Sequence, residues 1–238
     1  MAPVKIIITI KFLIMNKKTT TVITGASSGL GKCLLKSFSA SFNVINISRT
    51  KSVSEYNIIS NLNNLSDLNE KLKMENIEHN LCILNAGTMG KIGMASQLSY
   101  TEFTETFNIN VFSNKIIIDW SIKNGCKNFI GISSGAAIKN YDGWLNYCAT
   151  KSAFRSMFLQ YQKDLPKFNF ILISPGILNT NMNKKIKALN IDLYPDMTKF
   201  HETPAVDPQK ASDLIYKNYK KYFKTAKLEI DLRKEVDW

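Results

Sequence analysis

The chain has 238 residues, 45% of them hydrophobic and 21% charged, which suits one α/β unit with a real core and excludes a disordered or fibrous protein. Its formal net charge is +12, yet the lysines are scattered and no nucleic-acid-binding signature accompanies them, so nucleic acid is not an expected partner. Four cysteines without a CxxC pair, and only two histidines, argue against any metal site and fit reduced thiols in a cytoplasmic protein.

In chain order, the first feature is VKIIITIKFLIM at Val4–Met15. It is too short to span a bilayer, is broken by Lys11, and has no small-residue cleavage site after it. Residues 1–18 therefore read as an N-terminal extension or arm, or as residues ahead of the true start, without stable membrane insertion. Residues 19–238 read as a single domain.

Strands are predicted at Thr20–Ile23, Asn43–Ile47, Tyr56–Ile59, Leu81–Leu84, Asn128–Ile132, Asn169–Ile173 and, in the tail, Leu228–Leu232. Between them, Leu30, Leu34 and Phe38 mark one face of a helix. Ser66 opens a polar helix ending near Glu75. Ser99 and Glu102 form a capping box for a long helix to about Lys123, with Gly125 near its end. A further helix runs from Leu145 to Asp164 before Pro166, and Asp207-Pro208 starts one reaching about Phe223. The lysines at 217, 220, 221, 224 and 227 read as the solvated face of that last helix. This alternation implies an α/β fold: a Rossmann-like, doubly wound parallel sheet of about seven strands with helices on both faces. Such a sheet binds its ligand outside the carboxyl ends of the strands.

The distinctive residues fall at those ends. After the first strand comes Gly25-Ala26-Ser27-Ser28-Gly29-Leu30-Gly31, spaced GxxxGxG, which suits a tight turn presenting backbone amides and a helix N-terminus to a diphosphate. After the second strand, Ser48-Arg49-Thr50 carries no carboxylate for a ribose diol. Arg49 would bind a 2′-phosphate instead, which favours NADP(H) over NAD(H). Asn85-Ala86-Gly87 ends the fourth strand, Ser133-Ser134 the fifth and Pro175-Gly176 the sixth. Tyr147 and Lys151 lie four residues apart on one helix face, where an ammonium beside a phenol would lower the phenol pKa for proton exchange.

Together these motifs resemble the short-chain dehydrogenase/reductase family in its compact form. TGASSGLG at Thr24–Gly31 is similar to that family's TGxxxGxG, Asn85-Ala86-Gly87 to its NAG turn, Tyr147–Lys151 to YxxxK, and Pro175–Thr180 to PGxxxT. Ser134 lies 13 positions before Tyr147, the family interval, which selects it over Ser133. The resemblance implies a tetrad. Tyr147 would exchange the proton, Ser134 would position the carbonyl, Lys151 would hold the nicotinamide ribose and tune Tyr147, and Asn110 would anchor a relay water. It also implies cofactor contacts from Ser27, Ser28, Leu30, Ile177 and Thr180. Asn61-Leu62 stands where the family often has Asp plus a hydrophobic residue for adenine, and an amide makes the same kind of hydrogen bond. The family's C-terminal Gly-Gly region is absent, which argues against a tetramer and leaves a homodimer through the long helices.

Residues 181–206 are expected to form a lid over a small carbonyl or alcohol substrate, with an apolar underside and basic residues at 184, 185 and 187. The implied function is NADP(H)-dependent carbonyl reduction or the reverse oxidation, on 3-oxoacyl or sugar-like substrates. The alternatives are a non-redox epimerase or dehydratase of the same family, and a regulatory protein that holds NADP(H) without turnover.

Overall fold

The structure is a computed structural model that describes residues 18–235. The Val4–Met15 run and the proposed arm therefore lie outside the described residues, apart from Lys18.

The aliphatic runs form seven strands: β1 (Thr19–Thr24), β2 (Phe42–Ser48), β3 (Tyr56–Ile59), β4 (Leu81–Leu84), β5 (Asn128–Ile132), β6 (Asn169–Ser174) and β7 (Glu229–Asp231). All pairings are parallel, in the order β3-β2-β1-β4-β5-β6-β7. The order reverses between β1 and β4, which opens a crevice there at the carboxyl edge. This is the doubly wound sheet that the alternation of elements implies.

Among the described residues eight helices connect the strands: α1 (Gly29–Phe38), α2 (Leu65–Met74), α3 (Tyr100–Phe107), α4 (Ser113–Lys123), α5 (Leu145–Asp164), α6 (Asn181–Lys187), α7 (Thr198–Glu202) and α8 (Pro208–Tyr222). On one face, Leu34, Leu35 and Phe38 of α1 pack with Ala211, Ile215 and Tyr219 of α8 against β1, β4, β5 and β6. On the other, Leu68 and Leu72 of α2, Ile117 and Ile118 of α4, and Phe154 and Phe158 of α5 cover Val22, Cys82 and Phe129. Strands buried on both faces explain why β4 reads as an unbroken apolar run.

Three features differ from the sequence reading. Helix α2 starts at Leu65, because the Asn64 side chain accepts the Asp67 N–H; Ser66 lies inside the first turn. The long helix expected after Ser99 has its capping box, but it is interrupted by a π-type turn at Asn108–Phe112. The tail strand is also shorter than expected, since Leu232 begins a 3₁₀ turn capped by Asp231. Helix α8 starts as expected, with Asp207 accepting the Gln209 N–H. The lysines at 217, 220, 221, 224 and 227 are solvent-exposed.

Candidate active site

The turn between β1 and α1 holds its shape through glycine at two positions that admit nothing larger. Gly25 has φ +70°, and a Cβ on it would lie 3.1 Å from Ala86 Cα. A Cβ on Gly31 would lie 2.1 Å from the Gly25 carbonyl oxygen and 2.5 Å from Asn85 Nδ2. The α1 N-terminus is unusually bare: Ser28 makes no capping hydrogen bond, no acidic residue stands in the first turn, and Ser28 and Gly29 are exposed. Uncapped helix amides with no competing carboxylate fit a diphosphate. Thr180 lies across from this turn, its Cγ2 3.8 Å from where a Cβ on Gly29 would be.

Across the crevice, Thr24 performs a service that the sequence reading missed. Its hydroxyl accepts the backbone amides of both Asn85 and Ala86 at 2.9 Å, and its carbonyl accepts Asn85 Nδ2 at 3.0 Å. The NAG turn is thereby fastened to the end of β1. Ser48 is buried, while Arg49 and Thr50 are exposed on the connection that leaves β2. Asn61 is also exposed, with its Oδ1 accepting the Asn63 N–H, and Leu62 is core.

Tyr147, Lys151 and Asn110 are buried together. Gly87 is the point they surround: a Cβ there would sit 3.4 Å from Asn110 Oδ1 and 3.8 Å from Lys151 Nζ. Lys151 Nζ donates to the Ile132 carbonyl at 2.8 Å and lies 5.7 Å from the Tyr147 ring centroid. Ser134 is half-buried at the end of β5; it caps the following 3₁₀ turn through the Ala136 N–H and faces the Tyr147 phenol.

The electrostatics reverse one expectation. Burial pushes the Tyr147 phenol up to about 12, with the nearby Ser134 hydroxyl acting in the opposite direction. Burial also pushes Lys151 down to about 8. Desolvation here outweighs any help the ammonium gives the phenolate. Tyr147 is thus held as an acid at neutral pH.

Asn110 does not bond within its own helix through its carboxamide. Oδ1 accepts the Thr88 N–H at 2.8 Å, and Nδ2 donates to the Thr88 carbonyl at 2.8 Å and to Thr150 Oγ1 at 2.9 Å. The π-type turn is where this residue leaves helical register to clamp the segment after Gly87. Oδ1 keeps a second lone pair free on the side of Gly87.

Residues 181–206 form α6, a 3₁₀ turn at Pro195–Met197, and α7. Met197 and Phe200 are buried with Trp144, Tyr147 and Met89. Trp144 packs against Tyr141, Tyr147 and Phe200 at 4.9, 5.7 and 5.2 Å. The packed side of this segment is therefore apolar and strongly aromatic, whereas Lys184 and Lys185 face solvent. A reciprocal pair of bonds fastens the lid. The Asp142 N–H donates to Asp196 Oδ2 at 2.9 Å, and the Asp196 N–H donates to Asp142 Oδ2 at 3.1 Å. Pro175 is buried beside the crevice, and Gly176 (φ +83°) leaves room for Arg233 Cγ, 3.1 Å from where its Cβ would be. Ile177, half-buried, packs into the aromatic cluster.

Comparison with known proteins gives consistent findings. A family model described as short chain dehydrogenase matches residues 19–190. A benzil reductase ((S)-benzoin forming) of Bacillus cereus is 27% identical over 212 residues, covering 75% of this chain and 83% of that protein. A 3-oxoacyl-acyl-carrier-protein reductase of Buchnera aphidicola is 27% identical over 199 residues, covering 74% and 80%. The crystal structure of a short chain dehydrogenase family protein from Francisella tularensis superposes with a TM-score of 0.74 at 20% identity, over 90% of this chain and 97% of that one. At that identity the likeness concerns the fold.

Proposed function

The chain belongs to the short-chain dehydrogenase/reductase family, an oxidoreductase family, and from that membership we propose that it is an NADPH-dependent carbonyl reductase acting through Tyr147, Ser134, Lys151 and Asn110. The observation that carries this reading is the burial of Tyr147 and Lys151 beside Gly87, next to a glycine turn whose helix amides are uncapped.

The residues fit a nicotinamide dinucleotide. Its diphosphate would meet the Gly25–Gly31 turn, its 2′-phosphate Arg49, its adenine Asn61 and Leu62, and its nicotinamide end Gly87, Pro175, Ile177 and Thr180. When bound, the cofactor supplies the hydride that adds to the carbonyl carbon. Ser134 donates a hydrogen bond to the carbonyl oxygen and fixes its position. Tyr147, kept protonated by burial, gives its phenolic proton to that oxygen as the alcohol forms. Lys151 returns a proton toward the resulting phenolate and stabilises its charge. Asn110 holds the Thr88 segment in place and offers Oδ1 to a relay water next to Lys151.

The aromatic wall of Tyr141, Trp144 and Phe200 suits a carbonyl carrying a flat apolar substituent. Benzil, the substrate named for the Bacillus relative, is accordingly the first ketone to assay, with a 3-oxoacyl thioester as the comparison. Cytoplasmic residence is part of the same reading, since Cys33, Cys82, Cys126 and Cys148 are all free thiols. So is a homodimer through α4 and α5. Among the described residues no helix is long and apolar enough to cross a membrane.

NADPH consumption with these ketones, in the wild type and Tyr147→Phe, tests the activity. The variant is expected to bind NADPH normally and to lose turnover by roughly 10²–10⁴-fold. Retained turnover would remove Tyr147 from the mechanism. Parallel titration with NADPH and NADH tests the cofactor: a clear preference for NADPH, abolished in Arg49→Ala, is expected, and equal affinity in the wild type would refute it.

A further inference from the structure

We propose that Asn46, buried, and Asn57, half-buried, form a carboxamide pair that positions the Ser48–Ser54 segment to receive the cofactor's 2′-phosphate and couples that segment to the glycine turn. The proposal rests on the NADPH reading above.

Asn46 is a polar residue in the middle of a central strand, and none of its surface is exposed. Its side chain lies on the same side of β2 as that of Ser48, two residues on. Oδ1 accepts the Ala26 N–H at 3.0 Å, inside the glycine turn. Nδ2 donates to Asn57 Oδ1 at 2.8 Å, to Ser48 Oγ at 3.0 Å and, more weakly, to the Thr50 carbonyl at 3.3 Å. A backbone N–H only donates, so the oxygen of Asn46 must face Ala26 and the amide nitrogen must face the loop. Neither a carboxylate nor an aliphatic side chain offers both an acceptor on one side and donors on the other.

Asn57, on β3, carries the hold outward. Its Oδ1 also accepts the Ser52 N–H at 2.9 Å and the Ser52 hydroxyl at 3.1 Å, while its Nδ2 donates to the Ser54 carbonyl at 2.8 Å. Ser48 Oγ donates to the Thr50 carbonyl at 2.6 Å, which anchors that carbonyl a second time. Thr50, Ser52 and Ser54 are thus all bonded from beneath, while Arg49 projects at the exposed rim. A short polar connection without such bonds would have to be ordered by the ligand, at an entropic cost. Here the cost is met on folding, and only a cofactor that engages the segment benefits. NADH, which lacks the 2′-phosphate, gains little from it.

The experiment measures dissociation constants for NADPH and NADH in the wild type, Asn57→Ala, Ser52→Ala, Arg49→Ala and the double variant Arg49→Ala/Asn57→Ala. Asn57→Ala is expected to weaken NADPH about tenfold and NADH less than about twofold, the worth of roughly one net hydrogen bond falling on one cofactor. Ser52→Ala, a milder change at a half-buried position, is expected to act in the same direction and keeps the test available if Asn57→Ala does not fold. Adding Asn57→Ala to Arg49→Ala should cost NADPH less than about a further twofold, because the charge being positioned is already gone. Equal losses for both cofactors, or losses that multiply in the double variant, would overturn the proposal and leave the pair a structural element. Equal affinity of the wild type for NADPH and NADH would instead overturn the NADPH reading on which it rests.

Discussion

Burial sets the working range of the two central side chains. Lys151, held down to about 8, is charged below that pH and loses its proton as pH rises through it. Tyr147, held up to about 12, stays protonated throughout that interval. The kcat/KM for carbonyl reduction is therefore expected to fall as pH rises through about 8, with Lys151 as the titrating group. In Lys151→Arg, which stays charged, the falling limb should vanish even if the absolute rate is lower. A pH–rate profile with an unchanged limb would assign it to another group. At the glycine turn, Gly31→Ala drives a methyl group into the Gly25 carbonyl and the Asn85 carboxamide. Overpacking of that kind costs about 1–3 kcal/mol or more, so the variant should melt several degrees lower and lose NADPH binding in a titration. The glycines were legible in the sequence because their demand is local. Thr24 and Asn46 were not, since their worth depends on partners at positions 85, 86, 26 and 57 that no spacing rule reveals. The direction of the Tyr147 shift was equally hidden, because burial is a property of the assembled fold.

Elements show the same division. All seven strands could be placed within a residue or two from aliphatic runs, and the capping box at Ser99 and Glu102 formed as its pattern indicates. The break at Asn108–Phe112 could not be foreseen, because it is imposed from outside the helix by Thr88 and Thr150. Lids follow this logic too. The apolar residues of 181–206 pointed to a covered face, but the reciprocal Asp142–Asp196 bonds that close it join segments far apart in the chain. Asp196→Ala removes the bond that its carboxylate accepts from the Asp142 N–H and leaves the one its own N–H donates; amide exchange across residues 185–200 should rise about tenfold, the worth of roughly one hydrogen bond. Exchange at β4 and β5 should stay unchanged. If the lid amides exchange at the wild-type rate, the latch contributes nothing to closure.

At the scale of the whole molecule, a doubly wound parallel sheet followed from the alternation of strands and helices, since right-handed crossovers leave few arrangements, but the strand order itself came only with the structure. What the alternation could not show is a titratable group deep in the fold. His79 is buried, stacked on Trp120 at 4.9 Å, with Nδ1 2.8 Å from the Ile77 carbonyl. Burial pushes its pKa down to about 4, against an ordinary value of 6.5. The folded protein therefore binds fewer protons than the unfolded chain between those values. Stability is full above about pH 6.5 and declines as pH falls toward 4, by roughly 3 kcal/mol at most. Asp67 and Asp231, lowered by Lys71 and Arg233, act in a more acidic window. Urea unfolding at pH 7 and pH 5 should show the loss in the wild type and a flatter profile in His79→Phe, which keeps the stacking on Trp120. Matching slopes would clear His79 of the effect.

The hydroxyl of Thr24 reaches amides 61 and 62 residues further along the chain, and that separation dictates when a nucleotide can first be held. A nascent polypeptide emerging from the ribosome has no dinucleotide pocket until residue 86 has left the exit tunnel and β4 has docked beside β1. A nicotinamide cofactor can thus lock the completed protein against unravelling, while the earliest collapse of the growing chain proceeds without its guidance.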